Sequence, residues 1–444
     1  KLHEQFELEY PQIKVAHSDF FKQKPKNIRS ARQAKYRGCL CEACENVRLK
    51  IVTLDNRLEI DGHRNLKLTD AESTLHMTLC PKKDGASFHK LSCIKRTCKD
   101  CGMKNLENYL TPISSQQRSR QISWRKWDYV AQTVNKTNKV AKKRQLTIKT
   151  GTLQDLLDEL CKELKVHALH IFNWHWQAKQ YNHIKQNLPD KWVLNVWDFA
   201  ENYTCYFQDE IQSAYWTRNE VTIHPVVNFY KCESEGCEEQ VSESIVFISD
   251  DNVHDHDAVH AFKDLVSIHM CQKRNLDLSK MVRFSDNCAA QYKSKGPLAD
   301  IACTSEDYSF PVQHNYYGAR HGKGASDGES AVVKSHASTA VNSGLAVIAN
   351  ARDLYEYCIE HLQKDKSTGS SCLHFRRSFY YIDNIHRGRG RNIKTIKGTR
   401  GFHSVMSTDS VDNIKSRQLS CFCQACIQGT GVCDNTDYVD DWKV

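Results

Sequence analysis

The sequence predicts an α/β protein whose core is a mixed five-stranded sheet, flanked by Cys-rich, zinc-binding N- and C-terminal regions. Three observations carry this. Apolar and alternating runs of strand length between residues 192 and 319 are interrupted by helical periodicity. Of the 20 cysteines, 11 lie in clusters near the two ends. Charge is segregated: residues 1–150 hold 31 Lys and Arg against 15 Asp and Glu, residues 198–330 hold 11 against 22, and residues 331–444 hold 15 against 11. A basic arm beside an acidic middle points to one part that binds a polyanion and another that binds cations.

A chain of 444 residues can build two or three domains. Five segments are expected: a polar lead-in (1–28), a basic Cys-rich zinc- and DNA-binding region (29–150), a helical connector (151–190), the sheet core (191–345) and a C-terminal module with a Cys cluster (346–444). No apolar run is long enough to span a bilayer, and no signal-peptide pattern is present. The chain opens at Lys1 rather than Met, as expected of a fragment lacking an N-terminal module. Without a secretion signal, zinc is the expected use of clustered cysteines, not a disulfide framework.

Each element has its own signal. Leu156, Leu157, Leu160, Leu164 and His167 recur at helical spacing within 153–188. The run 192–199 (WVLNVWDF) suits a buried strand. YTCYF at 203–207, VTIHPVVNFY at 221–230 and SIVFISDD at 244–251 follow as strands. Residues 257–270 put Val259, Phe262, Leu265, Val266 and His269 on one helical face, with Asp255 or Asp257 as cap. MVRFSD at 281–286 and HNYYGA at 314–319 are further strands, and 327–341 is an Ala-rich helix. Strands in a meander, then helix, strand, strand and helix, is the RNase H-like order.

In that order the strands at 192–199 and 281–286 are neighbours, so Asp198 and Asp286 come together at their C-terminal ends. Paired carboxylates repel and persist mainly where a cation neutralises them. Hard oxygen ligands at an open edge suit Mg²⁺ or Mn²⁺. The third acidic group is expected at the mouth of the last helix, from Asp327 or Glu329, with Asp327 preferred and Gly322, Gly324 and Gly328 giving the segment freedom to fold back. Lys334, seven residues on, lies on the same helical face toward a DNA backbone. Such a set performs in-line displacement at phosphorus, the chemistry of a polynucleotidyl transferase. A proofreading-type exonuclease fits less well, because Glu201 follows Asp198 by three residues rather than two.

Four segments carry a resemblance: WDFAENY (197–203), QDEIQSAYW (208–216), FSDNCAAQYKS (284–294) and HGKGASDGESAVVK (321–334). Together they resemble a family of DDE-type cut-and-paste transposase-like proteins of animal genomes, within the retroviral integrase superfamily. GCLCEACEN (38–46), IKGTRGFHS (396–404) and LSCFCQACIQG (419–429) extend it more loosely over most of the chain. The resemblance implies a transposase or a domesticated descendant. It implies catalytic roles for Asp198, Asp286 and Asp327, and places Asn202, Gln291 and Lys323 as neighbours of the site. It also favours Asp327 over Glu329, where the family is glycine-rich.

Two C-x2-C knuckles suggest one zinc held by Cys41, Cys44, Cys98 and Cys101. Cys39, Cys80 and Cys93, with His76 or His89, could make a second site. Cys421, Cys423, Cys426 and Cys433 suit another, with His403 as a substitute for one of them. Cys232 and Cys237 could be a partial knuckle but read better as loop thiols. His254, His256 and His260 read as a solvated, capped helix start. Cys205, Cys271, Cys288, Cys303, Cys358 and Cys372 read as buried small apolar residues.

Double-stranded DNA, as transposon ends and target, is the expected partner, with a homo-oligomer possible and no membrane. Arg125, Lys126, Lys142, Lys143 and Arg144 in the basic arm, Lys323 and Lys334 near the site, and Arg387, Arg389 and Arg391 in RGRGR are the expected DNA contacts. Lys142–Arg144 also suits nuclear import, so the nucleus is the expected location. Two rival classes are a catalytically idle zinc protein bound to DNA or chromatin, and a zinc-dependent ubiquitin ligase. The latter needs eight interleaved ligands, and these clusters stand too far apart for that.

Overall fold

The structure, a computed structural model, describes residues 41–133, 140–318, 324–363, 365–366, 372–388, 396–411 and 413–444, with a few positions before residue 20. From residue 41 on, the described chain opens with helix α1 (Glu42–Ile60) and goes on to a long two-stranded hairpin, β1 (Gln121–Thr133) and β2 (Val140–Thr152). Helix α2 follows (Leu153–Gln186), started by a capping box in which Thr152 and Asp155 satisfy one another's backbone N–H groups.

The sheet is built from β3 (Trp192–Trp197), β4 (Tyr203–Thr204), β5 (Glu220–Lys231), β6 (Gln240–Ser249), β7 (Lys280–Ser285) and β8 (Val312–Tyr316). A small pair, β9 (Asp365–Lys366) and β10 (His374–Phe375), precedes three more strands. These are β11 (Arg377–Ile382), β12 (Ser404–Ser407) and β13 (Ile414–Arg417). Across the sheet the order is β11-β6-β5-β3-β7-β8-β12-β13, with β4 on β5. The sheet is mixed: β3 runs antiparallel to β5 and parallel to β7, which is parallel to β8.

The expected five strands therefore become nine. The additional edge strands come from residues after 376, which join β6 on one side and β8 on the other. RSFYYI, the sequence of β11, has the aromatic, apolar character of a strand. β12 and β13 are four residues each, too short for periodicity to register.

Helices α3 (His256–Ile268), α4 (Ala325–Asn342) and α5 (Ala351–Leu362) cover the sheet. Asp255 caps α3 by accepting from Ala258 N at 3.0 Å. One face buries Phe247, Phe262, Val266 and Met281 beneath α3; the other buries Val221, Ile223, Val333 and Leu354 beneath α4 and α5. α2 ties the parts together. Leu156, Leu160 and Leu164 pack with α1 and Trp124 of β1, Phe172 and Trp176 pack near the C-terminal cysteines, and Ile184 packs on the sheet. Where α2 crosses the end of β8, a Cβ on Gly318 would stand 2.6 Å from Trp174 Cα, so only glycine fits. Among the described residues no helix is long and apolar enough to cross a membrane.

Candidate active site and metal centres

The parallel pairing of β3 with β7 sets Trp197 opposite Ser285. Asp198 and Asp286 each leave their strand at the next residue, half-buried and side by side at one sheet edge. Asp286 Oδ1 accepts from Cys288 N at 2.9 Å, and burial raises its pKa. Burial first, then the charges of Asp286 and Asp327, push Asp198 up to about 8. Asp327 reaches this edge because Ser326, buried at the start of α4, donates to Val196 O at 3.0 Å.

Asp327 is exposed, and its Oδ2 accepts from Gly324 N at 2.9 Å, so it also caps α4. Glu329 turns to Arg377 of β11 at 2.6 Å. The three aspartates are not drawn into a tight cage: among the described residues, the groups whose ligand atoms all lie within 4.8 Å of one another are made of cysteine and histidine. Sequence reasoning missed the residues that pin the Asp286 loop. Lys293 donates to Asn287 Oδ1 at 2.7 Å, Asn287 donates to Tyr317 O, and burial pulls Lys293 down to about 7. Asn202 donates to Glu220 at 3.1 Å, and Gln291 lies in the turn after Asp286.

Among the described residues, four groups could hold zinc: Cys80, Cys93, Cys98 and Cys101; Cys232, Cys237, Cys372 and His374; Cys421, Cys423, Cys426 and Cys433; and Cys41, Cys44 and His170. Zinc–thiolate bonds of ~2.3 Å at tetrahedral angles put sulfurs about 3.8 Å apart. The Cys80–Cys98 separation is 3.8 Å, Cys421–Cys433 is 3.6 Å and Cys423–Cys433 is 3.9 Å. Hydrogen bonding to Cys101, with burial, holds the Cys80 thiol up at about 12, so a cation must displace its proton.

These groups correct the expected pairing. Cys41 and Cys44 do not join Cys98 and Cys101. They open α1, which carries them to α2, where His170 Nε2 lies 3.2 Å from Cys41 Sγ. Cys80 and Cys93 complete the Cys98–Cys101 group instead, since Cys93 sits in a short helix (Leu91–Ile94) just ahead of Cys98. Cys39 lies outside the described residues. His76 and His89 bond one another at 2.7 Å rather than supplying ligands. His403 is not a fourth C-terminal ligand; it is buried against Gln418 O at 2.9 Å, and burial lowers it to about 4. Cys372 is a cluster member rather than an apolar filler, as are the loop thiols Cys232 and Cys237. His170 and His374 carry no sequence signal, because more than 120 residues separate each from its distant thiol partners.

Of the expected DNA contacts, Arg125, Lys142 and Lys143 stand exposed on the β1–β2 ribbon, and Lys126 lies 3.6 Å from Asp128. Arg144 pairs with Glu42 and stacks over Tyr129 at 4.3 Å. Lys334 is half-buried near Glu201. Arg387 is engaged within the protein, by Asp251 at 2.5 Å and Asp255 at 2.7 Å. Lys323, Arg389, Arg391 and Gly322 lie outside the described residues. His254 stacks on Phe199 at 4.3 Å and His260 lies 3.2 Å from Asp264.

A family model described as a domain of unknown function (DUF8701) matches residues 177–420. Comparison with curated proteins and with solved structures gives no significant match.

Proposed function

The chain belongs to the DUF8701 family, and from its acidic edge we propose that it is a DDE-type transposase-like enzyme that cleaves and transfers DNA strands with Mg²⁺ or Mn²⁺. The observation that carries this is the meeting of Asp198 and Asp286 at the ends of adjacent parallel strands, with Asp327 near enough to raise Asp198. An antiparallel β5 on one side of β3 and a parallel β7 on the other agrees with an RNase H-like core. The sequence resemblance points the same way.

In this reading Asp198 and Asp286, once deprotonated, hold the divalent ion, and Asp327 completes the set. A divalent ion there supplies activation of a water or a DNA 3′-hydroxyl and stabilises the leaving oxygen. The chain's own part is to fix the carboxylates, lose the Asp198 proton and align the scissile phosphate. In cleavage water adds to phosphorus, the bond to the 3′-oxygen breaks and that oxygen leaves protonated. In joining, the freed 3′-hydroxyl adds to a target phosphate and displaces its 3′-oxygen.

The exposed cations of the β1–β2 ribbon hold duplex DNA by its phosphates, and a two-stranded ribbon has the dimensions of the major groove. The protein acts in the nucleus and assembles on both element ends as an oligomer. A second reading, a domesticated binder without catalysis, is favoured by Asp327 capping its helix and by Glu329 being neutralised by Arg377.

The deciding assay is nicking of duplex DNA carrying the element's own ends. Nicking that requires Mg²⁺ or Mn²⁺ and is lost in Asp286→Asn, with DNA binding retained, is expected. An unmodified chain that binds these ends but never nicks them leaves only the domesticated binder.

A further inference from the structure

We infer that Cys232, Cys237, Cys372 and His374 form a closed Cys₃His zinc site that clasps the β5–β6 turn to the segment entering β11. The four ligand atoms lie within 4.8 Å of one another. Cys232 and Cys372 sulfurs are 3.7 Å apart, and His374 Nε2 lies 3.1 Å from Cys372 and 3.6 Å from Cys237. These are the edges of a zinc tetrahedron, about 3.8 Å between sulfurs and about 3.5 Å from sulfur to nitrogen. A disulfide would need ~2.05 Å.

A second observation is independent of the thiols. The other ring nitrogen of His374, Nδ1, lies 3.3 Å from the Glu239 carboxylate. Metal-bound histidines almost always direct the non-ligating nitrogen to a carboxylate, carbonyl or water, which fixes the tautomer and the ring. Here that partner leaves Nε2 facing the sulfurs, and His374 is itself buried. Cys232 and Cys372 are 140 residues apart. An ion joining them closes a long loop, where a cross-link restrains the unfolded chain most in principle.

The clasp stands just ahead of a load path to the acidic edge. Val196, Val227, Ser244 and Arg377 form one transverse row across β3, β5, β6 and β11. Helix α4 is tied to both ends of this row. Ser326 donates to Val196 O at 3.0 Å and Glu329, three residues on, accepts from Arg377 at 2.6 Å. Asp327 lies between these two anchors. The clasp fixes the chain three residues before Arg377, and so helps seat Asp327. This positioning role rests on the proposed acidic site; the metal site itself does not.

The test uses the full reduced chain, with zinc counted by elemental analysis. Cys237→Ser is expected to carry one zinc fewer than the unaltered chain. Its amide exchange should quicken over residues 372–382 while β3 and β7 stay protected. Glu239→Gln is expected to keep the count but bind that zinc ~10–100-fold more weakly in chelator competition. Equal zinc in Cys237→Ser and the unaltered chain overturns the site, and unchanged exchange over 372–382 overturns the clasp. If Cys237→Ser does not fold, Glu239→Gln decides, because chelator sensitivity equal to the unaltered chain's overturns the site. A chain that loses one zinc in Cys237→Ser yet never nicks DNA keeps the site and removes only the acidic-edge reading.

Discussion

At the cysteine groups, soft ligands crowd within 4.8 Å of one another around small, partly buried centres. At the edge of β3 and β7, three aspartates come near enough to raise Asp198 yet hold apart, and one of them is exposed. Three of these groups supply four ligands each, enough to close on a tetrahedral ion as structural zinc requires, while Cys41, Cys44 and His170 supply three. The acidic edge is open and under electrostatic strain, as a site must be if substrate oxygens are to share its ion. In the proposed reading, one chain uses metal ligands both to hold its fold and to leave a position free for chemistry. That division also explains why hard, acidic ligands and soft thiolate ligands are segregated in space.

The largest effect should come from removing zinc. Structural zinc binds zinc-finger peptides with about 10–16 kcal/mol of apparent free energy. Stripping it with a tight chelator should therefore collapse the midpoint of thermal unfolding. The damage should centre on the middle of α2, where Phe172 and Trp176 pack beside Cys421 and Cys423. A chelated protein that melts unchanged would show that these groups are ordinary thiols. The acidic edge should behave in the opposite way. Asp286→Asn should cut nicking by about 10²–10³-fold or more, the scale of losing one electrostatic contributor. It should leave the denaturation midpoint equal or higher, since it removes a carboxylate whose charge is disfavoured by burial. A large loss of stability in Asp286→Asn would mean that the aspartates are structural, and the contrast would fail.

The two regions also differ in how legible they were. The strand ends that carry Asp198 and Asp286 were readable because an apolar run and the point where it stops are local properties. The apolar run ending at Trp197 and the one ending at Ser285 each announce a strand, and their pairing follows from topology. The role of Asp327 was less legible, since Asp at a helix start serves equally as cap and as ligand, and here it caps. The zinc groupings were legible only where ligands are close in sequence, as in Cys421–Cys433. Cys41 with His170, and Cys232 with His374, are joined by folding across more than 120 residues, and no spacing rule reaches that far. The β1–β2 hairpin escaped for a different reason. Its alternation is carried by charged residues and exposed Leu146 and Ile148, so the pattern resembles a solvated basic tract more than a strand.

The smallest predicted effect separates the two regions most finely, because it depends on pH rather than on removing a ligand. The Asp198 carboxyl has an ordinary value of 3.8 and is pushed up to about 8 by burial, then by Asp286 and Asp327. Between those values the folded chain holds a proton that the unfolded chain has released. The stability of the chain without a divalent ion at this edge should thus fall as pH rises from about 4 to about 8, then level off. The slope can reach at most about 1.4 kcal/mol per pH unit, and solvent at this half-buried edge reduces it. Asp198→Asn has no such proton, so between pH 6 and 8, where the thiolates keep their zinc, its curve should be flatter than the unaltered chain's. Mg²⁺ favours the charged form and should restore the unaltered chain's stability at pH 8 without helping Asp198→Asn as much. Urea titrations of both proteins at several pH values, with and without Mg²⁺, measure this. Parallel curves would mean that the aspartates are uncoupled in solution, and that the edge is no more poised for a divalent ion than any other acidic surface.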